Sequence, residues 1–196
     1  MTYIILGVTV VVSLLCFNNS ELFMKLALIP YRVVKNNEWY RLVTHGFVHA
    51  DMAHLVVNMF TFWSFGTYME RLFQYVGFGR WAFLLLYFGG MIVASFYDIA
   101  KHRNNPHYIS IGASGAVSAV LFASIFFDPW GKILFFGVLP IPGLLFGILY
   151  LVYCQYMGRR GTDNINHNAH FYGAVYGFLL PALLKPALFS VFLSHF

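Results

Sequence analysis

Apolar residues in this chain gather in long blocks separated by short polar stretches. The blocks cover about 3–17, 52–69, 81–97, 112–127, 133–153 and 167–184, close to the length that carries a helix across a hydrocarbon core of about 30 Å. They are too long for barrel strands, and backbone groups in lipid must be bonded within their own segment, so each block predicts a helix. The breaks between them have local causes. Gly77 and Gly79 mark a turn before Trp81, Asn104-Asn105-Pro106 lie in a polar loop over 98–110, and Asp128-Pro129 ends the fourth block. Pro140 and Pro142 should bend the fifth block or break its early turns. Residues 18–51 mix charges with aromatic side chains, which fits a long structured loop in the interface with Trp39 and Tyr40 at head-group depth. No repeat, low-complexity tract or linker divides the chain. The expected architecture is an all-α membrane protein, one domain over 1–196, with six transmembrane helices and a long interfacial first loop.

Composition strengthens that reading. Hydrophobic residues make up 60% and charged residues 10%, with mean hydropathy +0.69, whereas a soluble domain is roughly a quarter charged. A net charge of +5 raises the question of nucleic acid, but Lys and Arg stand singly or in pairs between apolar blocks. They read as interfacial anchors and contacts to anionic lipid, and no nucleic-acid partner is expected. Cys16 and Cys154 have no motif spacing and predict neither a disulfide nor a thiol site. A cleavable signal sequence is the alternative for the first block. No basic residue precedes it, and Cys16-Phe17-Asn18-Asn19 is a poor small-residue cleavage site, so it is read as the first span.

In so apolar a chain the informative residues are polar ones at membrane depth, where each needs a partner or a task. His54 and Asn58 stand four apart and share a helix face, able to donate hydrogen bonds from it. The alternatives are that they glue helices together or, with His49 and His45, hold a metal, although the step of five from His49 to His54 aligns poorly and no carboxylate or Cys completes a set. Ser114 lies in Gly112-Ala113-Ser114-Gly115 ahead of an apolar helix. There it is either a helix cap or a nucleophile whose neighbouring glycines admit a substrate backbone and whose helix-start N–H groups bind an oxyanion. His170, Gly173 and Gly177 share one face of the sixth block, the glycines forming a seam for close helix contact. The fourth block offers a matching strip of Ser114, Gly115, Ser118 and Ala119, so packing the two would carry His170 toward Ser114. Nucleophile, base and oxyanion donors are the parts of acyl transfer, and with no acid in the sixth block the pair would be a dyad.

Glu38-Trp39-Tyr40-Arg41, His49-x4-His54-x3-Asn58, Gly112-Ala113-Ser114-Gly115 and Ala169-His170-x2-Gly173-x3-Gly177 together resemble the rhomboid family of intramembrane serine proteases, in its minimal six-helix, bacterial-like form. The resemblance implies cleavage of single-pass membrane proteins within or beside their transmembrane segments, without metal or cofactor, by a multi-pass protein of a cell membrane such as the bacterial inner membrane. It implies Ser114 as nucleophile, His170 as base and then acid, and His54, Asn58 and the Ser114 N–H as the oxyanion hole. His49 would help hold the first loop, Gly112 would shape the turn before Ser114, and Trp39, Arg41, Gly115, Gly173 and Gly177 would support the site. Residues 155–166 and the neighbouring part of the fifth block would form a mobile lid and gate. The resemblance departs four positions after Ser114, where the family often carries a large aromatic beneath the catalytic histidine. Here that residue is Ser118, and Phe171 or Tyr172 is the expected substitute.

Overall fold

A computed structural model describes residues 1–196 except Phe136 and Thr162. Phe136 falls in the fifth expected span and Thr162 in the expected lid, so those two positions lie outside the described residues. The chain is mostly helical. Helix α1 (Thr2–Phe17) is followed by three short helices, α2 (Ser20–Leu26), α3 (Pro30–Lys35) and α4 (Arg41–Thr44), then by α5 (Met52–Tyr75), α6 (Gly79–His102) and α7 (Ser114–Phe127). Strands β1 (Lys132–Phe135) and β2 (Leu139–Pro142) precede α8 (Gly143–Arg160), α9 (His167–Leu184) and α10 (Ala187–Leu193).

Helix α7 is the axis of the bundle. Every residue from Gly115 to Phe126 is buried, and α9, α6 and α5 pack around it. Small residues make this possible. Gly90 faces the Ala119 methyl, and Gly115 faces that of Ala94, each with no room for a Cβ. The outer helices turn apolar side chains outward: Val56, Val57, Phe60 and Trp63 on α5 and Ile148 and Val152 on α8 are exposed. A face of that kind suits lipid rather than water. Among the described residues, α6 is by itself long and apolar enough to cross a membrane. Helices α9 and α10 make a second such segment if their 119° bend is one broken span, and α1 and α7 are apolar but shorter.

Two expectations need correction. The fold is not purely helical: β1 and β2 form an antiparallel hairpin in which Ile133 pairs with Ile141 and Leu134 with Pro140. Proline lacks an N–H and fixes φ, so the prolines at 140 and 142 sit in a two-stranded edge rather than a helix. The fifth helix therefore starts ten residues later than expected, immediately after Pro142, where Gly143 and Leu144 donate to the carbonyls of Gly131 (2.8 Å) and Pro129 (2.7 Å). At its other end it runs on to Arg160, through half of the stretch expected as a lid, and stops at Gly161 in the left-handed conformation (φ 59°).

Candidate active site

The first loop is organised by a buried cation. Arg41 is 1% exposed. Its Nε donates to Glu38 (2.5 Å) and its Nη1 to the carbonyls of Met24 (2.8 Å) and Ala27 (2.5 Å). Burial opposes the charge on Glu38, but the hydrogen bonds from Arg41 and then Asn36 hold its carboxyl below the usual range. Arg41 is thus an internal staple of the first loop rather than an interfacial anchor. Trp39 and Tyr40 are exposed, as expected of interfacial aromatics. Between α2 and α3 the loop is tied to the approach of Ser114 by paired backbone bonds between Leu28 and Ser110 (3.0 and 2.9 Å).

Two buried histidines carry the tie further. His45 Nδ1 donates to the Arg41 carbonyl (2.8 Å), and its own carbonyl accepts from the Gly112 N–H (3.0 Å). His49 bridges three segments: the Ala113 N–H donates to its Nε2 (3.5 Å), while Nδ1 meets Ser13 Oγ at 2.9 Å. Ser13 passes its own hydrogen to the Phe47 carbonyl (2.8 Å). One tautomer satisfies the whole chain, with the proton on Nδ1. Burial, and next the neighbouring His54, push the His49 ring down to about 3 against the pull of Asp51. Burial pushes His45 down to about 4 against its bond to the Arg41 carbonyl. Both rings are neutral structural connectors. His49 lies 4.9 Å from His54 between ring centroids, but both its nitrogens are engaged, which removes it as a metal ligand.

Ser114 is not a cap. The N-cap of α7 is Ala113, without a side-chain cap bond, and Ser114 is the first helical residue. Among the described residues its hydroxyl has no structural partner, and the N–H groups of Ser114 and Gly115 meet no backbone acceptor, as helix geometry requires. Gly112 sets this turn at φ +107°, where a Cβ would also lie 2.8 Å from His54 Cε1 and 3.0 Å from its Nε2. Only glycine meets both demands. His54 Nδ1 accepts weakly from the Ala50 N–H (3.5 Å), which leaves Nε2 as the donor directed at the turn. The backbone N–H of His54 is held by the cap residue Asp51 (2.7 Å). Asn58 is buried and spends one amide hydrogen on the His54 carbonyl (2.9 Å), so the second remains for a ligand.

The glycine seam forms as its spacing predicts. A Cβ on Gly173 would strike the Gly115 backbone, and one on Gly177 the Ala119 backbone. Gly115 in turn lies against the Ala169 carbonyl. The two helix backbones therefore touch one residue away from both Ser114 and His170. No hydrogen bond joins the two side chains among the described residues, and such bonds commonly close only with substrate in place.

The support for His170 comes from an unexpected helix. Tyr150 of α8 stacks on its ring at 6.2 Å between centroids and 13° between planes, and the Tyr150 hydroxyl meets Ser118 Oγ at 2.8 Å. Neither expected substitute reaches it: Tyr172 stacks on Tyr97 (5.4 Å) and Phe171 packs on Tyr172. Ser118 thus anchors a tyrosine from another helix instead of supplying an aromatic itself.

Two further groups were missed in the sequence. Asp98 looked like a span end, but α6 continues to His102 and buries it. It accepts from Asn166 Nδ2 (2.5 Å), which also reaches Ser110 (3.0 Å). Asn166 caps α9 by accepting from the Ala169 N–H (3.0 Å). These residues line a small cavity with Ser114, Gly112 and His45. The second group is Cys154, His167 and His170, whose ligand atoms lie within 4.8 Å of one another. No spacing rule links Cys154 of α8 to two histidines of α9, so only the packing of those helices reveals it.

Comparison with known proteins adds an independent line. A family model described as a rhomboid domain matches residues 36–187. The chain is 27% identical over 186 residues to RHOMBOID-like protein 12, mitochondrial, of Arabidopsis thaliana, covering 87% of this chain and 54% of that protein. It is 30% identical over 166 residues to Rhomboid protease GluP of Bacillus subtilis (strain 168), covering 85% of this chain and 30% of that protein. Rhomboid-like protein 11, chloroplastic, of Arabidopsis thaliana is 30% identical over 159 residues, covering 75% of this chain and 53% of the relative. The chain spans about half the length of these relatives or less.

Proposed function

This chain belongs to the rhomboid family, and from that premise we propose that it is an intramembrane serine endopeptidase cutting single-pass membrane proteins within or beside their transmembrane segments. The observation that carries the proposal is the seam of Gly173 and Gly177 on Gly115 and Ala119, which brings the His170 turn to an uncapped Ser114 beside His54.

The chemistry follows from these groups. His170 takes the proton of Ser114 Oγ as that oxygen attacks the scissile carbonyl carbon. The carbonyl oxygen becomes an oxyanion, stabilised by His54 Nε2–H, the free amide hydrogen of Asn58 and the Ser114 N–H. The intermediate collapses by breaking the C–N bond, and His170 returns its proton to the leaving amine. Water, deprotonated by His170, then hydrolyses the acyl-enzyme and restores Ser114. Without an acidic partner on α9, orientation of the imidazole falls to the Tyr150 stack. No metal or cofactor takes part in these steps.

As a membrane unit, we read 1–196 as one rhomboid domain with six spans, formed by α1, α5, α6, α7, α8 and α9, with 18–51 as an interfacial loop. Helix α7 has 14 residues, about 21 Å at 1.5 Å per residue, shorter than a hydrocarbon core. That length supports a site recessed below the membrane surface at the helix's N-terminal end.

The test is cleavage of a model single-pass substrate by protein reconstituted in lipid. Ser114→Ala should abolish it and should remove labelling by a fluorophosphonate. Undiminished cleavage by that variant would sink the assignment.

A further inference from the structure

Cys154, His167 and His170 meet where α8 packs on α9, and nothing in the dyad reaction requires the first two. His167 and His170 are one helical turn apart and share a face, with rings 6.0 Å apart and edge to face. Cys154 and His167 are 1% and 3% exposed. His167 is also prepared as a ligand: its Nε2 is held by the Asp163 carboxylate at 3.0 and 3.1 Å, which fixes the tautomer with the proton on that nitrogen. The other nitrogen, Nδ1, then presents a lone pair, and it is buried without a hydrogen-bond partner among the described residues. A buried, unsatisfied ring nitrogen needs an explanation. A carboxylate behind a histidine is the usual outer support of a metal ligand.

We propose that Cys154, His167 and His170 form a binding site for a thiophilic divalent cation of the zinc class, and that its occupancy reversibly inhibits the enzyme by engaging its general base. One thiolate and two imidazoles suit such an ion, with water as the fourth ligand. Tetrahedral bonds of about 2.0–2.3 Å set ligand atoms about 3.4 Å apart. The three atoms lie within 4.8 Å of one another, so small side-chain rotations close the set. Binding releases the Cys154 proton to solvent and leaves sulfur bound as thiolate. His170 cannot hold the metal and accept the Ser114 proton with the same lone pair. The inhibitory half of the proposal rests on His170 as the base. The binding half does not.

The experiment uses the full reduced chain in detergent, titrated with Co²⁺ as the spectroscopic probe and competed with Zn²⁺. A near-ultraviolet thiolate-to-cobalt band is expected, bleached by Zn²⁺, retained in Cys16→Ser and lost in Cys154→Ser. Asp163→Asn should weaken Co²⁺ binding about 10–100-fold, the usual effect of losing an outer-shell partner. In the cleavage assay, Zn²⁺ at the concentration that bleaches the band should stop the wild type, and a chelator should restore it. Cys154→Ser, shown to be folded by its melting profile, should cleave normally and resist Zn²⁺. Absence of the band in the wild type, or its persistence in Cys154→Ser, overturns the site. A band with cleavage untouched by Zn²⁺ overturns the inhibitory role. A metal-free wild type that never cleaves refutes the protease reading instead, while the band still decides the site.

Discussion

Tyr150 allows ring and hydroxyl to be tested separately. Tyr150→Phe keeps the ring on His170 and removes the 2.8 Å bond to Ser118. A hydrogen bond of this kind contributes about 1 kcal/mol, which, if it acts wholly on the placement of the base, is about fivefold in kcat/KM. Tyr150→Ala also removes the stack, worth about 0.5–1.5 kcal/mol. It frees a ring that no carboxylate orients, and misplacement by about 1 Å can lower the rate about 100-fold. The same truncation should lower stability by about 3–5 kcal/mol, so each variant must be compared well below its own melting temperature. The assay is kcat/KM for a model substrate in lipid across wild type, Tyr150→Phe, Tyr150→Ala, Ser118→Ala and the Ser118→Ala/Tyr150→Phe pair. The losses from Ser118→Ala and Tyr150→Phe should overlap, with a coupling of about 1 kcal/mol. A folded Tyr150→Ala that cleaves at the wild-type rate, or strictly additive losses in the pair, would refute the role given to α8.

Two other outcomes follow from the geometry. Gly173→Ala and Gly177→Ala drive a Cβ into the backbone of α7 rather than into a yielding side chain; each should cost about 1–3 kcal/mol of stability and slow cleavage, whereas Gly7→Ala, inside α1 with open space around it, should not lower the melting temperature and should raise it slightly, since Ala is about 0.5–1 kcal/mol better than Gly within a helix. Burial holds His49 down to about 3 and His45 to about 4, while in the unfolded chain both titrate near 6.5. Below that value the unfolded state binds more protons, so the stability these rings contribute is full above about pH 6.5 and is lost progressively toward pH 4 and below. His49→Gln should flatten that slope in melting curves between pH 7 and pH 4.5, and an unaltered slope would remove His49 as its source.

Much of the site was legible because its signals are local. Helix periodicity aligned His54 with Asn58 and His170 with Gly173 and Gly177, and the small residues at 115 and 119 matched that seam before any packing was known. The break at Pro140 and Pro142 was equally local, since proline cannot continue a helix, but nothing local specified that β2 would pair with β1. Burial was harder to read: Asp98 appeared to end a span until α6 ran on to His102 and buried it.

The sequence by itself determined the apolar blocks, the glycine face of α9 and the candidate pair Ser114 and His170, because each depends on residues within a few turns of one helix. Tertiary structure alone decided what joins the helices: Tyr150 beneath His170 and on Ser118, His49 between Ser13 and Ala113, and Cys154 beside His167. Those contacts cross 32 to 64 positions of chain for the hydrogen bonds. Their register is set by how closely small residues let α7, α8 and α9 approach, a property of the assembled bundle that spacing along one segment does not encode.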